Sequence, residues 1–318
     1  MIDLSLIIVS FNTAALTCDC LESVLAADAG KREVFVVDNA SADGSARRLK
    51  EGFPAVHLIV NTENRGFAAA NNQALPLCRG RYLFFLNPDT RVSPNAFTKA
   101  VSFMDINPQI GLAGVRIINP DSTPQESVSF RYPGQKHCRG ELDGLPGRIA
   151  CVLGAAMIAR TGLIRELGGF DETFFLYGED QDLALRVRKA GCEIGFIPDA
   201  VVIHYGDQSE APNGTTAMWE KKIRAENIFY RKHYHLETLR RIWRSERIKA
   251  AYRIATLRLT LPFSSDREGI RAKLARYETI RAITRGMARR DKNDLRHTGK
   301  RGGGPTARPD GSPTGSRT

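Results

Sequence analysis

The sequence predicts an α/β fold, with a mostly parallel central sheet flanked by helices and a C-terminal helical extension. Three observations lead there. Short apolar runs alternate with helix-like stretches through roughly the first 115 residues, each apolar run ends in a polar turn, and the pattern becomes helical and basic after Met218.

The elements follow in order. LSLIIVSF (4–11), EVFVVDN (33–39), VHLIVN (56–61) and RYLFFLN (81–87) are buried-strand runs. Between and after them, 15–27, 45–51, 67–77 and 94–103 carry helical patterns, and this strand–helix–strand spacing argues for βαβ units. Ligands of open α/β sheets bind beyond the carboxyl ends of the strands, so the turns at 10–12, 38–41, 61–64 and 87–89 outline one cleft. Residues 119–148, rich in Pro, Gly and charge, predict a long excursion with little regular structure, of the kind that is functional or disordered. A strand over 150–159, a short helix over 162–167 and two strand-like runs within 193–205 complete the main body. Further on, Ile248, Tyr252, Ala255 and Leu259 make one apolar helical face. After Pro262, Ile270, Leu274, Tyr277 and Ile280 make another. The Gly/Pro/Ser/Thr-rich stretch 297–318 predicts disorder.

The chain has 318 residues, enough for a substantial core, and a net charge of +11. That excess sits in the C-terminal third: residues 221–318 hold 26 Lys+Arg against 9 Asp+Glu. Six cysteines show no metal-ligand or disulfide spacing and fit a reduced, cytoplasmic protein. No apolar run approaches the ~20 residues of a membrane span.

The stretch FFLYGEDQDLALRVRKAG (174–191) places Glu179, Asp180 and Asp182 at a helix start behind a run of aromatics. Helix capping by such acids, for ~0.3–1 kcal/mol each, is the plain reading. Apolar walls add a second one, because desolvation raises a carboxylate toward useful general-base values. Asn87-Pro88-Asp89 is a turn that could also hold Mg²⁺ or Mn²⁺ through Asp89, with a ligand's phosphates completing the shell. Asp38 to Ser41 and Asn64 to Phe67 read as Asx turns or pocket walls, and His204 follows a strand.

Together SLIIVSFN, VVDNASADGS, NRGFAAANN, LNPDTRV, GGFDETFFLYGEDQDLALRVRKAG and IPDAVVIHYGDQS resemble the blocks of family 2 glycosyltransferases, rhamnosyltransferase-like branch, over roughly residues 4–235. The resemblance implies a GT-A fold, with a donor half (1–115) and an acceptor half (116–235), ahead of a basic extension (236–296). It implies inverting transfer of a sugar, with rhamnose the leading candidate, from a nucleoside diphosphate sugar to a hydroxyl. By position, Ser10, Asn12 and Asp38 meet the nucleoside, with Asn64, Arg65 and Gly66 lining its pocket. Asn87 and Asp89 occupy the Asp-X-Asp site, where Asn87 departs from the pattern. Asp89 and His204 are the implied ligands of Mg²⁺ or Mn²⁺. Asp180 is the implied base, and Glu179 and Asp182 orient it or hold acceptor hydroxyls.

A glycosidase also pairs carboxylates, but the blocks at Asp38 and Asn64 speak for a nucleotide donor. A degenerate sugar-nucleotide-binding module is supported by Asn87 and opposed by the complete acid cluster. Nucleic acid is disfavoured because the basic region has no aromatic-interleaved face. The expected partners are the nucleotide sugar and a glycan or lipid-linked acceptor of surface polysaccharide or cell-wall synthesis. For the basic helices two readings stand open: an anionic membrane surface, or packing on the catalytic domain or on a second subunit of a homodimer.

Overall fold

The computed structural model describes residues 2–28, 30–206 and 214–298. Four strands, β1 (Leu4–Ser10), β2 (Arg32–Asp38), β3 (His57–Val60) and β4 (Tyr82–Leu86), run parallel and are joined through α1 (Ala14–Ala26), α2 (Ser45–Gly52) and α3 (Phe67–Ala74). They continue through β5 (Thr90–Val92), α4 (Ala96–Ile106), β6 (Ile110–Ile118), β7 (Val128–Ser129), β8 (Cys151–Val152), β9 (Ala156–Arg160), α5 (Thr161–Glu166), α6 (Glu179–Lys189) and β10 (Glu193–His204). The main sheet has eight strands in the order β3-β2-β1-β4-β9-β6-β10-β5; β7 and β8 form a separate pair. Within the main sheet β9 is antiparallel to β4 and β6, and β5 is antiparallel to β10.

Both faces of the sheet are covered, so the strands are apolar almost throughout. Ile7, Val9, Phe35, Val37, Leu83 and Phe85 pack towards α3 and α6. Leu6, Ile8, Val34, Val36, Phe84 and Leu86 pack towards α1 and α4. This is the period of two expected of strands.

Several expectations need correction. Residues 150–159 form two short strands, not one, because the chain breaks at Leu153-Gly154-Ala155. The runs within 193–205 form one strand, with an irregular register between Ile197 and Val201, where Pro198 removes a backbone donor. Strand β6, missed from sequence, carries the chain across residue 115, so both expected halves share one sheet.

Beyond the sheet lie α7 (Gly214–His233), α8 (Leu236–Thr260) and α9 (Arg267–Thr298), with α8 and α9 packed together after a turn at Pro262. The buried row of α8 includes Ala250, Ile254 and Leu257. The expected face of Ile248, Tyr252, Ala255 and Leu259 is exposed instead. On α9, Ile270 and Ile280 are buried as expected. The tail expected to lack structure lies outside the described residues from 299 onward.

Candidate active site

The turns after β1, β2 and β3 are tied into one platform by amides. Asn12, with φ of +54°, receives a bond from the Ala42 N–H on Oδ1, while its own N–H donates to Ser41 Oγ. Asn39, almost fully buried, donates from Nδ2 to Asn64 Oδ1 at 2.8 Å. Its Oδ1 accepts from Asn61 Nδ2 and the Arg65 N–H. Gly66 has φ of +82°, and a Cβ there would stand 2.6 Å from the Phe175 carbonyl. The Phe67 N–H donates to that same carbonyl, which fastens the platform to the loop before α6.

Placement of the expected nucleoside residues is uneven. The Ser10 hydroxyl is fully buried against Thr13 and Thr17. Asp38 is 1% exposed; its Oδ2 accepts the Ser41 N–H and its Oδ1 has no hydrogen-bond partner. A buried carboxylate oxygen left unpaired is costly, and a ligand donor at this strand end would relieve it. The Arg65 side chain is exposed.

A cavity of about 470 Å³ brings together Asn87, Gln125, Gly154, Glu179, Asp180 and His204. At one wall α6 starts behind two residues in the left-handed region, Tyr177 at φ +70° and Gly178 at φ +83°. Strain of this kind persists where surroundings over-determine the backbone. The Asp180 carboxylate is held on both oxygens, by the Gly154 N–H at 3.0 Å and the Gln181 N–H at 2.8 Å. The Gly154 contact exists because the chain breaks between β8 and β9. Burial raises the pKa of Asp180, while those two N–H groups oppose the rise. Glu179 is raised too, first by burial and then by the charge of Asp180. Its Oε2 is buried without a hydrogen-bond partner. Both carboxyls are thus biased towards holding a proton, Asp180 against two N–H groups that favour its charged form.

Asp182 stands apart. It is fully buried, lines neither cavity described here, and is bonded to Arg186 Nε at 2.7 Å, Lys232 Nζ at 2.7 Å and His233 Nε2 at 2.8 Å. These partners outweigh its burial and hold its pKa down at about 2. It locks α6 to α7, a role at odds with the expectation that it orients the base or holds the acceptor.

Opposite, His204 Nε2 lies 3.4 Å from Asp89 Oδ1. Gln125, which sequence reasoning missed, fixes this geometry. Its Nε2 donates to Asn119 Oδ1 and the His204 carbonyl, which turns Oε1 to His204 Nδ1 at 3.0 Å. Nδ1 must then be the donor. In the neutral ring Nε2 presents a lone pair to a carboxylate, an arrangement stable only with a proton or a metal cation between them. Asp89 and His204 therefore fit a divalent cation. Among the described residues no group of three or more His, Cys, Asp or Glu could hold a metal ion. Phosphate oxygens would have to complete the shell.

A second cavity of about 410 Å³ shares Gln181, Trp219, Lys222 and Glu226 with the first. Tyr132, Tyr230, Trp243 and Tyr277 give it aromatic walls. Tyr132 Oη and His137 Nε2 are buried there without hydrogen-bond partners.

A platform at the carboxyl ends of parallel strands thus shares one GT-A-like fold with a carboxylate–histidine pair and a buried aspartate held on both oxygens. Residues 5–167 match the family described as Glycosyl transferase family 2, and the chain belongs to that family. It is 25% identical over 202 residues to an N-acetylglucosaminyl-diphospho-decaprenol L-rhamnosyltransferase of Mycobacterium tuberculosis, covering 54% of this chain and 66% of that one. It is 32% identical over 184 residues to the pre-mycofactocin glycosyltransferase of the same species, covering 54% and 37%. The chain thus spans less than two thirds of either relative. Among solved structures, a mannosyltransferase of Pyrobaculum calidifontis in complex with GDP-Man and Mn²⁺ matches with a TM-score of 0.55 and 20% identity, covering 88% of this chain and 86% of that one.

Proposed function

We propose that the chain is an inverting transferase that moves a sugar, rhamnose first among candidates, onto a hydroxyl of a glycan or lipid-linked acceptor in surface polysaccharide or cell-wall synthesis. Residues 1–115 bind the donor, 116–235 bind the acceptor, and 236–296 form the basic extension. The carrying observation is Asp180, held on both oxygens where the donor cleft meets the aromatic chamber.

In this reading the nucleoside rests on the platform, with the unpaired Asp38 Oδ1 accepting a donor from the base or ribose. The acceptor sugar stacks on aromatic walls of the second cavity and bonds to Tyr132 Oη and His137 Nε2. Asp180 removes the proton of the attacking hydroxyl on the face opposite the leaving diphosphate. Glu179, still protonated, donates a hydrogen bond from its buried carboxyl to acceptor or sugar oxygen. Asp89 and His204 hold Mn²⁺ or Mg²⁺; when bound, the cation stabilises negative charge growing on the diphosphate.

A panel of nucleotide sugars read by thermal unfolding tests the donor. At 100 times its Kd the true donor adds about 2.7 kcal/mol of stability. Deoxythymidine diphosphate rhamnose is expected to protect most. A larger shift from a uridine diphosphate N-acetylhexosamine would reassign the sugar, and no shift from any donor would overturn the reading.

A further inference from the structure

Helix α8 has two apolar rows, and only one is used. Ala250, Ile254 and Leu257 face inward. Ile248, Tyr252 and Leu259 are exposed by 61, 66 and 73%, and Phe263, in the turn that follows, by 90%. They fall on one side of the helix, at spacings that return to the same face. A contiguous exposed apolar row of this kind marks an interaction surface.

Cations border the row. Arg244 and Arg247 of α8 and Arg281 and Arg285 of α9 line one shallow hollow together with Ile248. Between residues 236 and 287 there are 13 Lys+Arg against 5 Asp+Glu. Two of those acids are already engaged, Glu237 with Arg241 and Glu278 with Arg258.

We propose that this face of α8 and α9 docks on an anionic lipid surface, with Ile248, Tyr252, Leu259 and Phe263 entering the headgroup region and the arginines meeting lipid phosphates. Charge complementarity selects the occupant. A second copy seated on the same face would set arginine row against arginine row, whereas anionic headgroups supply the opposite sign. Among the described residues no helix is long and apolar enough to cross a membrane, so the attachment lies along the surface. The opposite side of α8 supplies Trp243 and Glu246 to the second cavity, so docking sets that chamber beside the lipid. The inference stands on the exposed face and is independent of the catalytic reading.

Sedimentation of the full chain with vesicles tests it. Binding is expected to phosphatidylcholine vesicles containing phosphatidylglycerol, to weaken as salt rises, and to be lost on phosphatidylcholine alone. The pair Arg244→Glu and Arg247→Glu should bind about tenfold less, and so should the set Ile248→Gln, Leu259→Gln and Phe263→Gln. All these positions are exposed, so the melting temperature should stay unchanged. A wild-type chain that ignores anionic vesicles at low salt overturns the proposal, as does binding that survives both sets. A dimer that binds no vesicles and dissociates in the apolar variant would assign the face to a second copy instead.

Discussion

Asp89 Oδ1 and His204 Nε2 stand 3.4 Å apart, with His204 turned by Gln125 so that its donor nitrogen faces away from the carboxylate. If Asp89 and His204 hold the proposed cation, Gln125 is a positioning residue for it. Gln125→Leu should raise the Mn²⁺ concentration needed for half-maximal activity by about 10–100-fold, with kcat at saturating metal largely restored. Metal titrations of activity, together with Mn²⁺ binding measured in the presence of nucleoside diphosphate, check it. An unchanged metal requirement would mean that Gln125 only braces its loop.

Asp182 is expected to matter for stability and not for chemistry. Its carboxylate is fully buried among three cationic or ionisable partners. Asp182→Ala leaves Arg186, Lys232 and His233 facing one another and should cost about 3–5 kcal/mol. The sign with pH follows from its lowered pKa of about 2. The stabilisation is complete above the ordinary carboxylate range and is lost as pH falls towards 2. Denaturant unfolding of wild type and variant from neutral to acid pH should show the gap closing on the acid side.

How much of this was legible in the sequence varies by residue. Strands β1 to β4 read directly, because continuous apolar runs at that spacing have few other uses. Strand β6 was hidden by Gly111 and Gly114, which weaken a strand pattern. They are there because a Cβ at Gly114 would lie 2.7 Å from Val152 and one at Gly111 would lie 2.6 Å from Leu163. On α8 two apolar rows compete, and periodicity cannot say which one turns inward. Asp182 reads as one of an acidic cluster, although Arg186 four residues on signals a pair within the helix. Gln125 meets His204 across 79 residues, and Asn39 joins the turns after β2 and β3; single amides in loops carry no pattern that predicts such roles.

The contact at Gly66 should be intolerant of any side chain. Gly66→Ala forces a left-handed residue and a clash with the Phe175 carbonyl, at about 1–3 kcal/mol for the backbone alone. Because that contact joins platform to loop, donor affinity should fall along with stability. Calorimetric titration with nucleoside diphosphate and a thermal melt check both. A variant with wild-type melting and affinity would remove the platform from the account.

The pH profile follows from the raised carboxyls. Asp180 must be ionised to act, and burial lifts its pKa, so kcat should fall on the acid side at a pH above the ordinary carboxylate range. Glu179→Gln keeps the hydrogen-bond donor without the titration, so it should retain much of kcat at neutral pH. It should also abolish any decline attributable to Glu179 ionising at higher pH. Loss of all activity in that variant would move the base to Glu179.

Asp180 itself bears the central claim. Asp180→Asn keeps its size and one acceptor for the Gly154 N–H while removing basicity. The measurement is single-turnover transfer from the donor selected by the thermal panel, with donor affinity determined in parallel by calorimetry. A fall of about 10²–10⁴-fold in transfer with donor affinity unchanged is the predicted result. Transfer near the wild-type rate would contradict the assignment of Asp180 as the base.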